Sequence, residues 1–207
     1  MSARRRDPGL WSGLDQPILA IVLFLMVIGV VLSFAASPAV SSAADPWFFL
    51  KRQLLFVGVG LAILSVAAAL SITGVRRMAG LALLCSLILL ILTPLIGVEL
   101  NGARRWIRVA GFSIQASEIL KPAFIVFTAW LFAEEDRGAP VPGRLAAFVL
   151  YGLCVALLMI QPDFGQTVLI TLVFGALLWA SGLAWKHTAM LAAADAGGAA
   201  AAYAALP

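Results

Sequence analysis

The chain has 207 residues, of which 63% are hydrophobic and 12% are charged, and its mean hydropathy is +1.05. This composition excludes a soluble globular domain, because the apolar residues form runs approaching the roughly twenty residues that span a bilayer. The formal net charge of +4 does not indicate a nucleic-acid binder, since the cations stand in small groups between the runs, as they do at membrane edges.

The apolar runs predict an all-α, polytopic transmembrane bundle. Six complete helices and part of a seventh are expected, over Pro17–Ala36, Leu54–Ile72, Met78–Ile96, Glu118–Phe132, Leu145–Ile160, Thr167–Leu183 and, incompletely, Thr188–Pro207. Residues 1–16 form an N-terminal tail, and residues 17–207 form the transmembrane domain. Pro17 is expected to begin the first helix, Gly74 to cap the end of the second, and Pro94 to kink or end the third.

The lysines and arginines between the runs predict the orientation of the chain. With a cytoplasmic N-terminus, eight of them lie inside: Arg4, Arg5, Arg6, Arg76, Arg77, Arg137, Arg144 and Lys186. Five lie outside: Lys51, Arg52, Arg104, Arg105 and Arg108. The excess of inner positive charge favours a cytoplasmic tail. The outer five are unusual, because positive charge is normally depleted on that side.

The segment "IQASEILKPAF" places ionisable groups where the chain re-enters the bilayer. Ser117 suits a helix N-cap, and Glu118 suits the first turn, where a carboxylate favours the positive helix end. Spacings of three and four residues put both of them on one face with Lys121. Pro122 should open or kink the helix near Glu118. Two interpretations stay open: an ion pair that anchors the helix at the interface, and the lining of a functional cavity.

The segment "QPDFGQT" breaks the chain between the fifth and sixth predicted helices, because Pro162 and Gly165 disfavour a continuous helix. Asp163 lies within the break. It is either the N-cap of the sixth helix or a carboxylate held on the same outer face as Glu118. Both interpretations are compatible with the spacing.

The loop "NGARRWIRVAGFSIQ" alternates apolar residues with Arg104, Arg105 and Arg108, as a segment lying in the lipid headgroup zone would. Asn101 and Gly102 indicate a turn. Arginine suits bidentate contact with phosphate, so the cluster fits either a lipid-linked phosphate or pyrophosphate, or anionic headgroups in general. No motif has the spacing of a zinc, nucleotide or Ser-His-Asp site, and no cofactor is evident, although a divalent cation could join a pyrophosphate.

The segments "NGARRWI", "IQASEILKPAF" and "QPDFGQT", in this order and spacing, closely resemble the signatures of the SEDS (shape, elongation, division and sporulation) family of FtsW/RodA type. The resemblance covers essentially the whole chain and is nearest to the alphaproteobacterial members of the division branch. It implies a peptidoglycan glycosyltransferase of about ten transmembrane helices in the bacterial inner membrane, at the division septum. Such an enzyme polymerises lipid II, the undecaprenyl-pyrophosphate-linked disaccharide pentapeptide, at the outer face.

The resemblance also implies partners and site residues. The partners are a class B penicillin-binding transpeptidase and the divisome activators. The family's functional positions fall on Arg52 in "KRQ", Arg105, Glu118, Lys121 and Asp163. The arginines would hold the pyrophosphate, while Glu118 and Lys121 would shape the cavity by pairing. Ser117, which shares their predicted helix face, completes the candidate substrate-binding set.

Two departures from the family pattern affect these expectations. Ala116 stands where the family usually has proline. The family's catalytic aspartate lies in a large loop after the seventh helix, so the catalytic residue is expected beyond residue 207, and Asp163 does not replace it. Alternative functions are a lipid II flippase and a non-catalytic divisome scaffold.

Overall fold

The computed structural model describes residues 15–40, 47–100, 102–109, 112–182 and 197. Six α-helices are described, namely α1 (Gln16–Val40), α2 (Phe48–Ala69), α3 (Ile72–Ile96), α4 (Ala116–Asp136), α5 (Gly143–Ile160) and α6 (Phe164–Ala180). The first five are long and apolar enough to cross a membrane, and α6 is a shorter apolar helix. The predicted all-α transmembrane bundle is confirmed. The seventh predicted helix lies outside the described residues, apart from the single helical residue Gly197.

The chain divides into two compact units, Met1–Ile72 (unit 1) and Thr73–Pro207 (unit 2). In unit 1, α1 packs against α2, and most of their described large apolar side chains are exposed. Such a surface fits lipid contact, because hydrocarbon imposes no penalty on exposed apolar groups.

Unit 2 has a continuous buried core formed by one face each of α3, α4, α5 and α6. Phe174 of α6 lies at its centre and is fully buried. Its ring is 4.5 Å from that of Tyr151 in a stacked arrangement and 5.1 Å from that of Phe148 in an edge arrangement. Phe124 and Phe132 of α4 complete the ring cluster at 6.1 and 6.2 Å. These contacts fix α4, α5 and α6 relative to each other.

A small antiparallel sheet joins α3 to α4, which the sequence analysis did not predict. Its strands are β1 (Val98–Leu100), β2 (Ala103–Val109) and β3 (Phe112–Ile114), in the order β1-β2-β3. Leu100 pairs with Ala103 across a two-residue turn, and Gly102 in that turn has φ +77°, a conformation that glycine adopts without steric cost. The arginine-rich loop is therefore folded into paired strands.

Two predictions of helix ends were wrong, and a third is seen in part. The second helix ends at Ala69, and Gly74 lies inside α3, which begins at Ile72. The N-cap of α4 is Gln115 rather than Ser117, which lies one residue inside the helix with a buried side chain. Asp163 occupies the N-cap position of α6 but makes no side-chain cap bond.

The predicted effects of the two prolines are only partly seen. Helix α3 ends two residues after Pro94, whereas α4 continues through Pro122 for fourteen further residues, to Asp136. Pro94 has no N–H to donate to the carbonyl of Leu90, four residues earlier. The side chain of Gln161 takes the place of that donor, at 2.8 Å from Nε2 to the Leu90 oxygen. A side chain from the α5–α6 turn thus satisfies the carbonyl that proline leaves without a helical partner.

Gly143 begins α5 at a point where the backbones of α4 and α5 meet. A Cβ atom at Gly143 would overlap the carbonyl oxygen of Leu131. Replacing Gly143 with alanine should therefore lower the free energy of unfolding by about 1–3 kcal/mol, measured from the thermal unfolding midpoint in detergent. The matched control is Gly152→Ala in the same helix, where a Cβ meets nothing within 4 Å. An equal loss of stability in both variants would contradict the close-approach explanation.

Candidate functional site

The candidate site lies at one end of unit 2, where α3 and α5 end, α4 and α6 begin, and the hairpin is attached; we call this the site end. Arg105 of β2 reaches the turn between α5 and α6. Its Nη2 donates to the Pro162 carbonyl at 2.7 Å, and its Nε donates to the Gln161 carbonyl at 3.4 Å. A guanidinium carries five N–H donors, so these two bonds orient the side chain and leave three donors for another group.

Asp163 lies beside the Arg105 contacts and is 5% exposed. Its Oδ2 accepts a hydrogen bond from Nε2 of Gln115 at 3.2 Å. The carbonyl of Asp163, rather than its carboxylate, accepts from the backbone N–H of Thr167 and so begins the hydrogen bonding of α6. The carboxylate therefore links the start of α4 to the start of α6, which places it on the same end as Glu118 and Arg105.

Glu118 and Lys121 form the ion pair that their spacing predicts. Nζ of Lys121 donates to Oε1 of Glu118 at 2.7 Å, and the same oxygen accepts from Nε2 of Gln166 at 3.1 Å. The Lys121 side chain is 21% exposed and that of Glu118 is 54% exposed. The pair is thus open enough to meet a ligand, while Gln166 ties it to α6.

Two buried polar atoms close to this pair have no hydrogen-bond partner among the described residues: Oγ of Ser117 and Oε1 of Gln166. Ser117 faces the interior of unit 2 rather than sharing an exposed face with Glu118 and Lys121. The spacing of the three residues places them within about 100° of one another around α4, but Ser117 lies on the inner edge of that face, so only Glu118 and Lys121 are accessible.

The other arginines are placed differently. Arg104 donates from Nη1 to the Pro94 carbonyl at 3.3 Å and from Nη2 to Glu99 at 3.4 Å, on the strand face opposite to Arg105. Arg108 is exposed and lies across from Ser113. Arg52 belongs to unit 1, where its guanidinium lies 5.7 Å from the centre of the Phe56 ring. The structure brings together Arg105, Glu118, Lys121 and Asp163.

Residues 15–206 match the FtsW/RodA/SpoVE family of cell cycle proteins. The chain belongs to this family.

Relatives within the FtsW/RodA/SpoVE family agree with this assignment. The probable peptidoglycan glycosyltransferase FtsW of Caulobacter vibrioides is 42% identical over 176 residues, which cover 84% of this chain and 45% of that protein. The protein of the same description from Mycobacterium tuberculosis is 37% identical over 198 residues, covering 88% and 37%. The chain thus spans less than half the length of these relatives.

Solved structures of the FtsW/RodA/SpoVE type share the fold. The rod shape determining protein RodA of Thermus thermophilus is 28% identical with a TM-score of 0.65, covering 93% of this chain and 59% of that one. A second solved structure is 30% identical with a TM-score of 0.63, and the match covers 86% of this chain and 50% of that one. Its description is "Structural coordination of polymerization and crosslinking by a peptidoglycan synthase complex". The similarity to relatives of this family confirms a multi-pass membrane protein.

Sequence reasoning missed the glutamines of the site in this FtsW/RodA/SpoVE chain. Gln115, Gln161 and Gln166 each donate to an oxygen more than forty-five positions away along the chain. Local spacing carries no signal of such contacts. The strands left a detectable signal, since Asn-Gly between residues of high strand propensity is the strongest short-range indication of a hairpin. Within the described residues, no group of three or more His, Cys, Asp or Glu could hold a metal ion.

Proposed function

We propose that this chain carries the lipid-pyrophosphate-binding part of a peptidoglycan glycosyltransferase of cell division. The observation that carries the proposal is the fixed guanidinium of Arg105, which keeps three N–H donors free at the same end as the Glu118–Lys121 pair. A planar guanidinium matches two phosphate oxygens at once. Lipid II would bind with its pyrophosphate at Arg105 and its disaccharide toward Glu118 and Lys121.

The reaction that fits this arrangement is glycosyl transfer. The 4-hydroxyl of an acceptor sugar attacks the anomeric carbon of the lipid-linked donor, and the bond from that carbon to the pyrophosphate oxygen breaks. The hydroxyl proton passes to a general base, and the leaving pyrophosphate is stabilised by cations. Arg105 is suited to the second requirement. For the base we expect the aspartate that the family carries after its seventh helix, and not Asp163, whose carboxylate is buried and bonded to Gln115.

Glu118 is suited to positioning rather than to proton transfer. Its Oε1 already accepts from both Lys121 and Gln166, so it holds the ammonium of Lys121 in place. Lys121 uses one of the three N–H donors of an ammonium on Glu118 and has the others available for a phosphate or a sugar oxygen.

The arrangement of charges favours polymerisation over transport. A flippase would present its cationic groups to each face of the membrane in turn. Arginines do lie at the other end of unit 2, but no charged residue stands between the two ends along α3, α4, α5 or α6. The side chains packed between them include Leu83, Leu120, Phe124 and Phe174, all of them buried.

The proposed setting follows from the orientation. With the N-terminal tail in the cytoplasm, α3 and α5 run outward, so the site end faces the outside of the bacterial inner membrane. A class B penicillin-binding transpeptidase would crosslink the glycan strands there, and the divisome activators would direct the pair to the septum. The relation of polymerisation to crosslinking in the similar synthase complex supports this partner class.

The proposal is tested by offering labelled lipid II to the full-length protein and to residues 1–207 alone, each reconstituted with its transpeptidase. Glycan strands are expected from the full-length protein only, resolved by gel electrophoresis. Glycan from residues 1–207 would contradict a base beyond residue 207. Movement of lipid II across vesicles without polymerisation would instead establish the flippase function. If the full-length protein showed neither activity, the non-catalytic scaffold function would be the one that remains.

Replacing Lys121 with methionine in the full-length protein separates a ligand-binding role from an anchoring role. We expect roughly tenfold weaker lipid II binding, because a charge-assisted hydrogen bond to the ligand is lost. The thermal midpoint should hardly change, since exposed ion pairs add little stability. The matched control is Arg137→Gln, which removes another exposed pair spaced three residues apart. Unchanged lipid II affinity in Lys121→Met would leave Lys121 as an interfacial anchor.

A further inference from the structure

A second candidate binding site lies at the opposite end of unit 2, where α3 begins and α4 ends. A cavity of about 420 Å³ opens there between the two helices. Its lining includes Arg76, Arg77, Gly80, Phe127, Trp130 and Glu134. None of these residues takes part in the site described above, and all of them belong to unit 2.

The polar part of this cavity carries surplus positive charge. Oε1 of Glu134 accepts from Nη1 of Arg76 at 3.3 Å, from Nε1 of Trp130 at 2.9 Å and from Nη1 of Arg137 at 3.3 Å. One carboxylate therefore serves two guanidinium groups. Arg77 is exposed and has no hydrogen-bond or ion-pair partner among the described residues. In the lining, Arg76 and Arg77 against Glu134 leave one uncompensated positive charge. Outside the lining, the charges of Arg137 and Arg144 are balanced by those of Glu135 and Asp136.

Apart from Thr73, which accepts a hydrogen bond from Nη2 of Arg76 at 3.5 Å, the rest of the lining is apolar and lies deeper along the helices. Gly80 is one helical turn beyond Arg76 and Arg77, which corresponds to about 5 Å along α3 toward the middle of the helix. The ring of Phe127 forms the facing wall, since a Cβ atom at Gly80 would lie 3.6 Å from it. The Trp130 ring meets that of Phe127 edge-on at 5.2 Å between centroids. The cavity is thus cationic at its mouth and apolar within.

We propose that this cavity binds an anionic phospholipid, with its phosphate at Arg77 and Arg76 and the beginning of an acyl chain against Gly80 and Phe127. The cavity lies at the ends of two helices long and apolar enough to cross a membrane, which is the depth of the headgroups. Arginine pairs well with phosphate, and tryptophan is typical of this depth. An acidic protein segment would use the arginines but would have no need of the apolar inner part. The inference does not depend on the glycosyltransferase proposal.

The test measures lipid retention by native mass spectrometry, with phosphatidylglycerol and phosphatidylcholine titrated into the detergent-purified chain. One phosphatidylglycerol should be retained in preference to phosphatidylcholine. Arg77→Gln should weaken this binding roughly tenfold, because it removes the unpaired cation from the phosphate. Gly80→Leu should weaken it as well, although it keeps every charge, because the larger side chain fills the apolar part.

The matched control is Arg137→Gln, which removes a cation from the same end of α4 and from the same glutamate without altering the cavity lining. We expect less than about a twofold change. Equal losses in Arg77→Gln and Arg137→Gln would overturn the proposal in favour of diffuse attraction. So would displacement of the lipid by polyglutamate, which would indicate an acidic protein partner. Arg77 is exposed, so this comparison decides the question even if Gly80→Leu lowers the thermal midpoint.

Discussion

Replacing Arg105 with glutamine should weaken lipid II binding roughly 100-fold, because two charge-assisted hydrogen bonds to the pyrophosphate, worth about 3 kcal/mol together, are lost. The side chain is held by the carbonyls of Gln161 and Pro162, so it meets the ligand without the entropic cost of being ordered first. Arg105→Lys should recover only part of the affinity, since an ammonium cannot contact two phosphate oxygens in one plane. Binding of a fluorescent lipid II to the full-length protein measures both effects.

The matched control for Arg105 is its neighbour in the same strand. Arg104→Gln removes the same charge from the same hairpin, but Arg104 points to the other strand face and bonds to Pro94 and Glu99. We expect its lipid II affinity to change by less than about threefold, as for other exposed pairs. Similar losses in the two variants would show that the hairpin acts only through its overall charge, and that the fixed geometry of Arg105 is irrelevant.

Replacing Phe174 with alanine should lower the free energy of unfolding by about 3–5 kcal/mol, the largest loss of stability expected from any single change considered. Phe174 is fully buried and contacts rings from both α4 and α5. Removing it leaves a cavity that neither helix can close alone. The thermal midpoint in detergent measures the loss, and lipid II binding should weaken with it because Glu118 lies in α4 and Asp163 directly precedes α6.

A control for Phe174 lies two residues away in the same helix. Leu172 is 60% exposed on the surface of unit 2, so Leu172→Ala removes an apolar side chain without opening the core. Its effect should be within about 0.5 kcal/mol. A comparable loss of stability in Leu172→Ala would mean that α6 is stabilised through its outer surface. It would contradict the role of the ring cluster in fixing α4, α5 and α6 relative to each other.

Apolar runs predicted every described helix, because a bilayer demands long apolar segments and tolerates few alternatives. The ends were less predictable. Helix α2 begins at Phe48, six residues earlier than expected, and so takes in Lys51 and Arg52. Helix α4 continues to Asp136 because Glu135 and Asp136 pair with Arg144 at the start of α5. Charged residues suggested a loop by composition, whereas their partners allow them to extend a helix.

The contacts of the candidate site also differ in how well the sequence predicts them, because some join neighbouring residues and others join distant segments of the chain. The Glu118–Lys121 pair follows from a spacing of three residues and was predictable. The contact of Arg105 with the α5–α6 turn joins residues 56 and 57 positions apart, and only the fold brings them together. Family resemblance selected Arg105 and Asp163 without saying what they touch. The structure adds that Asp163 reaches Gln115, and that Arg105 reaches backbone rather than an acidic side chain.

The contact between Gln161 and the Leu90 carbonyl has an evolutionary consequence. Pro94 leaves that carbonyl without its helical donor, and the side chain of Gln161 supplies the hydrogen bond instead. Loss of Gln161 alone would leave the carbonyl without that donor, whereas loss of Pro94 alone would leave Gln161 its acceptor, because a carbonyl oxygen accepts two hydrogen bonds. A descendant lineage could therefore lose Gln161 more readily after Pro94 had been replaced. The proline in α3 would in this way constrain the sequence of the turn that holds Arg105.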